Sequence, residues 1–146
     1  MTLPKIPTPL AGLQTSLANV ILDHLTGHKL WVMPTGLTAQ LHIGDPGPDQ
    51  TNNLSAVLDK QIILFEDALG GMIDVAAPAP VWMMSAIEVL THISIWDNIG
   101  TPLWSTLLDF PQPVVPNDSY TLEQCILSFN NLTLVSMSVM LGRVNA

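Results

Sequence analysis

Three groups of side chains in this 146-residue chain are of types that do chemistry. Asp23, His24 and His28 bring a carboxylate and two imidazoles within a helical turn and a half, and the i, i+4 spacing of His24 and His28 is that of helical zinc sites. Gly27 lies between them and stops a helix, which spoils that geometry. His28 and Lys29 are therefore expected to cap the negative end of the helix dipole. His42, Asp45 and Asp49 offer either a general base with carboxylate partners or oxygen ligands for calcium. Their spacing fits neither pattern, so Asp45-Pro46 and Asp49 are read as Asx-type turns.

His92 and Cys125 sit in the middle of alternating segments. A mid-strand histidine is read as a core or interface residue with one satisfied ring nitrogen. Cys125 has no neighbouring basic residue to lower its pKa, so it is read as a buried structural thiol. A hydrolase would need paired carboxylates in a cleft. The three glutamates, Glu66, Glu88 and Glu123, have no partner at motif spacing and are read as solvent-facing. No Gly-Xaa-Ser-Xaa-Gly elbow and no phosphate-binding glycine loop occurs. The expectation is a non-enzymatic protein with no catalytic residue, cofactor or metal.

The elements that position these residues are mostly strands. Leu10, Leu13, Leu17, Val20, Ile21 and Leu25 recur at three and four, predicting one helix over 10–25. After Pro34 and Gly36 the period becomes two: Leu37, Ala39, Leu41 and Ile43 alternate with Thr38, Gln40 and His42. Ile87 to Trp96 is apolar toward both faces, which suits a central strand. Further strands are predicted at Gln61–Phe65, Met72–Ala76, Val81–Met84, Leu103–Leu108, Tyr120–Phe129 and Leu132–Met140. Gly70-Gly71, Asn98-Ile99-Gly100 and Pro116-Asn117-Asp118-Ser119 supply turns, and Gly44 to Asn53 is a long irregular loop. This order predicts a mainly β fold, an antiparallel β-sandwich or barrel-like domain preceded by one N-terminal α-helix.

Composition narrows the function class. Four Lys and Arg against 12 Asp and Glu give a net charge of -8, which repels phosphate backbones and argues against direct nucleic-acid binding. Charged residues make up 11% of the chain, well below the roughly 25% of a soluble domain, while hydrophobic residues reach 48%. Too little polar surface remains to cover a monomer, so a subunit of an assembly is expected. A monomer covered by Ser, Thr, Asn and Gln is the alternative. One cysteine excludes an intrachain disulfide. Cys125 to Leu141 is too short and too polar to span a membrane, and the proline-rich N-terminus lacks the apolar run of a signal peptide.

Four segments carry a resemblance: Asn19-Val20-Ile21-Leu22-Asp23-His24-Leu25, Leu41-His42-Ile43-Gly44-Asp45-Pro46-Gly47, Thr91-His92-Ile93-Ser94-Ile95-Trp96-Asp97, and Pro116-Asn117-Asp118. In this order and at these separations, from about Leu17 to about Phe129, the chain resembles a family of small virion proteins from the structural gene clusters of tailed bacteriophages, tail-fibre-like or minor head proteins. Ser94 departs from the glycine common in the third motif, and Leu132 to Ala146 extends past the family's usual end.

The resemblance implies a structural role in the virion, assembled in the host cytoplasm. Its partners would be the major capsid protein or tail subunits, with the chain as a homo-oligomer. The acidic charge favours a capsid decoration or minor head protein; a tail or tail-fibre component is the alternative. Within this reading residues 1–9 form an extended proline-rich arm, 10–131 the domain and 132–146 a C-terminal extension. The candidate interface residues are Pro4, Pro7, Pro9, Trp31, Trp82, Leu134, Met137 and Met140, while Trp96 and Trp104 are expected in the core.

Overall fold

A computed structural model describes residues 13–30 and 34–128. The helix, α1 (Thr15–Leu25), starts later than the periodicity suggests. Leu13 is drawn into an antiparallel bridge with Trp104, and the Gln14 N–H donates to Leu103 O at 2.9 Å, so the chain is still extended there. At the other end Gly27 takes φ 75°. The Gly27 N–H bonds to His24 O and the His28 N–H to Asp23 O, at 3.2 and 2.9 Å. These two bonds form a Schellman end, which satisfies the last carbonyls.

The strands are β1 (Leu37–His42), β2 (Gln61–Phe65), β3 (Met72–Ile73), β4 (Val75–Ala76), β5 (Val81–Met83), β6 (Glu88–Asp97), β7 (Pro102–Val114), β8 (Ser119–Thr121) and β9 (Leu127–Ser128). Five of them form one sheet in the order β4-β2-β1-β6-β7, while β3 pairs with β9 and β5 with β8. Every strand pair among the described residues is antiparallel. The fold is a curled half-barrel with one N-terminal helix, as the sequence pattern predicts.

Two predicted strands divide, each for a visible reason. Met72–Ala76 divides at Asp74 because its halves pair with different strands, β3 with β9 and β4 with β2, and at the join Asp74 Oδ1 accepts from Cys125 N–H at 3.0 Å. Tyr120–Phe129 breaks into β8 and β9 because the chain crosses from one ribbon to the other, turning Leu122 and Cys125 into the core between them. By contrast, β7 runs past the predicted Leu108 to Val114. Pro111 and Pro113 are tolerated there because β7 is an edge strand. Its register against β6 jumps from Leu90↔Gln112 to His92↔Leu107, so four β7 residues bulge opposite Thr91. The predicted strand Leu132–Met140 lies outside the described residues.

The sheet has two unlike faces. On one, Ala39, Leu41, Ile63, Ile93, Ile95 and Trp104 join Leu17 of α1 and Trp82, Met84, Leu122 and Cys125 in a single apolar core. Successive strand residues point to opposite faces, so the other face of β1 and β6 carries Gln40, His42, Ser94 and Trp96, all of them buried. What buries them is the chain between β1 and β2.

Candidate functional site

The polar face is the most organised cluster of reactive side chains. The register places His42 opposite His92 and Gln40 opposite Ser94. His42 Nδ1 lies 2.8 Å from Asn52 O, a pure acceptor, so Nδ1 carries the proton. The neutral ring's Nε2 is then an acceptor, 2.7 Å from Ser94 Oγ. Trp96 Nε1 donates to the same hydroxyl at 2.8 Å. The result is a directed chain: Trp96 N–H to Ser94, Ser94 O–H to His42, and His42 N–H to the loop backbone. Burial holds His42 below the ordinary imidazole value; the Asn52 bond opposes this, His92 reinforces it and Asp45 opposes it. His92 is lowered too, chiefly by burial.

The loop that roofs this face is itself shaped by turn residues. Asp45 Oδ1 accepts from Gly47 N–H at 3.0 Å, the Asx turn expected from the sequence. Gly47 has φ 76°, and a Cβ there would lie 2.5 Å from Asn52 Nδ2. Gln50 is fully buried beneath the roof, donating to Ile95 O at 3.0 Å and accepting from Gln14 Nε2 at 3.2 Å. Gln40 Nε2 donates to Leu58 O at 3.0 Å. Lys60 Nζ closes the far side, 3.5 Å from the centre of the Trp96 ring.

A serine hydroxyl 2.7 Å from an imidazole is the arrangement of a nucleophile and its base. Here the third partner is a backbone carbonyl, not a carboxylate, and both His42 and Ser94 are 0% exposed. These bonds tie the roof to the sheet through the Asn52 carbonyl. Glu88, expected to face solvent, helps: its carboxylate accepts from Ser55 Oγ and from Ala56 N–H. Gln40, Gln50, Asn52, Ser55 and Lys60 were not singled out from sequence. The available signal was the polar set Thr38, Gln40 and His42 on a strand flanked on both sides, which must find polar cover.

The remaining candidates separate. Asp23, His24 and His28 lie at the end of α1, where His28 Nδ1 is 2.7 Å from Thr26 Oγ1. Among the described residues no group of three or more His, Cys, Asp or Glu could hold a metal, and no helix is long and apolar enough to cross a membrane. Glu66 and Glu123 are exposed. Cys125 is buried, and desolvation followed by the Asp74 charge pushes its thiol up to about 11, against a smaller opposing effect of Trp104. Among the described residues the buried Trp104 Nε1 makes no hydrogen bond of ordinary length, and Cys125 is the group whose thiol it acts on weakly. That ring lines an apolar groove of about 420 Å³ with Leu17, Ile21, Leu37, Ile73 and Leu127.

Trp82 corrects the interface expectation. It is 1% exposed, inside the core, with Nε1 donating to Asp59 O at 3.0 Å. On β5 the side chains alternate, so Val81 and Met83 face out and Trp82 must face in. Trp96 and Trp104 are buried as expected. Pro4, Pro7, Pro9, Trp31, Leu134, Met137 and Met140 lie outside the described residues. Exposed apolar residues do occur on two short strands, where Ile62 and Leu64 flank inward Ile63 on β2 and Val81 and Met83 flank Trp82, and others lie in loops, such as Leu69, Ile87 and Ile99.

No curated protein matches the chain. A family model described as Podophage GP4 fiber I protein gp80 matches residues 12–130, so this chain belongs to that phage fibre family, a tail-fibre-like family of virion structural proteins.

Proposed function

We propose that this virion structural protein is a fibre-associated subunit of the tail, assembling with copies of itself and with neighbouring tail proteins through apolar strand faces, and that it performs no catalysis. The observation that carries the reading is the pattern on β2 and β5. A half-covered antiparallel strand alternates apolar with polar residues, whereas here Ile62, Leu64, Val81 and Met83 are exposed and apolar next to buried Ile63 and Trp82. Exposed apolar side chains on strand faces are the kind of surface that a protein contact covers. The fibre description of the family supports the tail over the capsid position that charge alone favoured. The seclusion of His42 and Ser94 supports a structural role for that pair.

The test combines location with assembly. Antibody-gold labelling of purified particles is expected to mark the tail, with few copies per virion by quantitative mass spectrometry. Uniform labelling of the head in hundreds of copies would replace this reading with capsid decoration. Sedimentation of the purified chain is expected to show an oligomer that Ile62→Lys with Met83→Lys dissociates while the circular dichroism spectrum is retained. A parent chain that stays monomeric at high concentration would remove the self-assembly part.

A further inference from the structure

A cavity of about 340 Å³ opens beside the β7 bulge. Residues 108–111 stand opposite Thr91 alone, so β7 bends there, and the chain from Tyr120 to Ile126 supplies the opposite wall. The buried part of the lining is apolar: Ile93, Leu122 and Cys125. The outer part is polar and aromatic. Asp109, Glu123 and Gln124 line it and are exposed, with half-buried Tyr120 and with Phe110, 80% exposed. This outer lining is chemically unspent. Among the described residues the carboxylates of Asp109 and Glu123, the Gln124 amide and the Tyr120 hydroxyl make no hydrogen bond or ion pair. The described cations are Lys29 and Lys60, and neither lines the cavity; Lys60 is held over the Trp96 ring.

Two negative charges at a recess with apolar walls focus a potential that draws cations in and repels anions. An exposed aromatic ring adds to that attraction. A hydrated metal ion gains nothing from an apolar floor, and no group of three ligands is present among the described residues to hold one. What matches carboxylates, ring and floor together is a charged head on an aliphatic stem. We propose that this cavity receives an arginine or lysine side chain of a neighbouring protein. Its head lies at Asp109, Glu123 and the Phe110 ring, and its methylenes cover Leu122 and Ile93. Arginine is the better fit, because its planar fork carries five donors and the Gln124 and Tyr120 oxygens supply further acceptors. A second copy of this chain is the poorer source, since two bodies of charge -8 repel. The contact selects its partner by charge, which the apolar strand faces do not. It stands independently of tail or capsid location.

The test titrates the isotope-labelled full chain with a capped Gly-Arg-Gly peptide and with its citrulline counterpart, which keeps the shape and lacks the charge. The arginine peptide is expected to shift the amide resonances of Asp109, Phe110, Leu122 and Glu123 with a Kd on the order of 1 mM, and the citrulline peptide to leave them in place. Asp109→Asn with Glu123→Gln changes exposed positions only, and is expected to weaken binding about tenfold while the remaining resonances stay where they were. Phe110→Ala is expected to weaken it about two- to fivefold. No shift with the arginine peptide, shifts spread evenly over the acidic surface, or equal binding of the citrulline peptide would overturn the proposal. Putrescine binding more tightly than the peptide would overturn the protein source in favour of a small amine.

Discussion

Replacing Ser94 by Ala removes a single oxygen from the centre of the molecule, and the structure says what that oxygen is worth. It sits 2.7 Å from His42 Nε2 and 2.8 Å from Trp96 Nε1, and His42, Ser94 and Trp96 are all buried. Its loss strands a ring acceptor and an indole donor, at about 1–3 kcal/mol each. The relief from no longer burying a hydroxyl offsets part of this, leaving a net loss of about 2–4 kcal/mol. For a chain of this size about 3 kcal/mol corresponds to roughly 6–12 °C in Tm. Urea unfolding followed by tryptophan fluorescence at pH 7.5 measures it, with Ser85→Ala, an exposed position, as a control expected within about 0.5 kcal/mol. His42→Ala should cost less in the Ser94→Ala background than in the parent chain, because the partner is already lost. A Ser94→Ala variant as stable as the Ser85→Ala control would refute the claim that the hydroxyl bridges these two rings.

Further outcomes follow from the same geometry. Burial sets His42 and His92 below the ordinary value of 6.5, so on acidification the unfolded chain takes up protons that the fold resists. Their contribution is full above 6.5 and is lost as pH falls toward the lower folded values; denaturant midpoints should drop over this window, less steeply in His42→Gln, and an identical slope in that variant would exclude His42 as a source. The Cys125 thiol, buried and raised to about 11, should react with Ellman's reagent at pH 8 only on unfolding, and rapid stoichiometric labelling of the native protein would contradict its enclosure. Gly47→Ala combines a φ of 76° with a Cβ 2.5 Å from Asn52 Nδ2 and should cost more than about 1 kcal/mol; chemical denaturation at or above the parent midpoint would show that the roof tolerates another turn.

Much of the strand framework could be read from alternation, because alternation is the direct signature of a half-buried strand. Gln61–Phe65 agrees to the residue, and the long apolar segment ending at Asp97 is the central strand β6. The helix start at Leu10 was misread because three-and-four spacing cannot distinguish Leu13 on a helix from Leu13 on a bridge. The split of Met72–Ala76 depends on β3 pairing with β9 while β4 pairs with β2, and on Asp74 accepting from Cys125, 51 residues away, a distance no local pattern reports. The site was half legible. The Asx turn at Asp45 was expected, yet the burial of Gln50 and the tie to Glu88 are long-range consequences of where the loop lands. Trp82 was misassigned because bulk suggests an anchor equally well inside or outside, and only strand orientation decides.

The two dissimilar sides of the sheet have a consequence for how faithfully it forms. Sliding β1 by one residue along β6 would turn Leu37, Ala39 and Leu41 up under a lid of amides and carbonyls, and push Gln40 and His42 down into oil. Both layers would object at once. A strand greasy on both sides could slip and still be content; this one has a top and a bottom. Every copy of the chain is thereby given one permitted alignment.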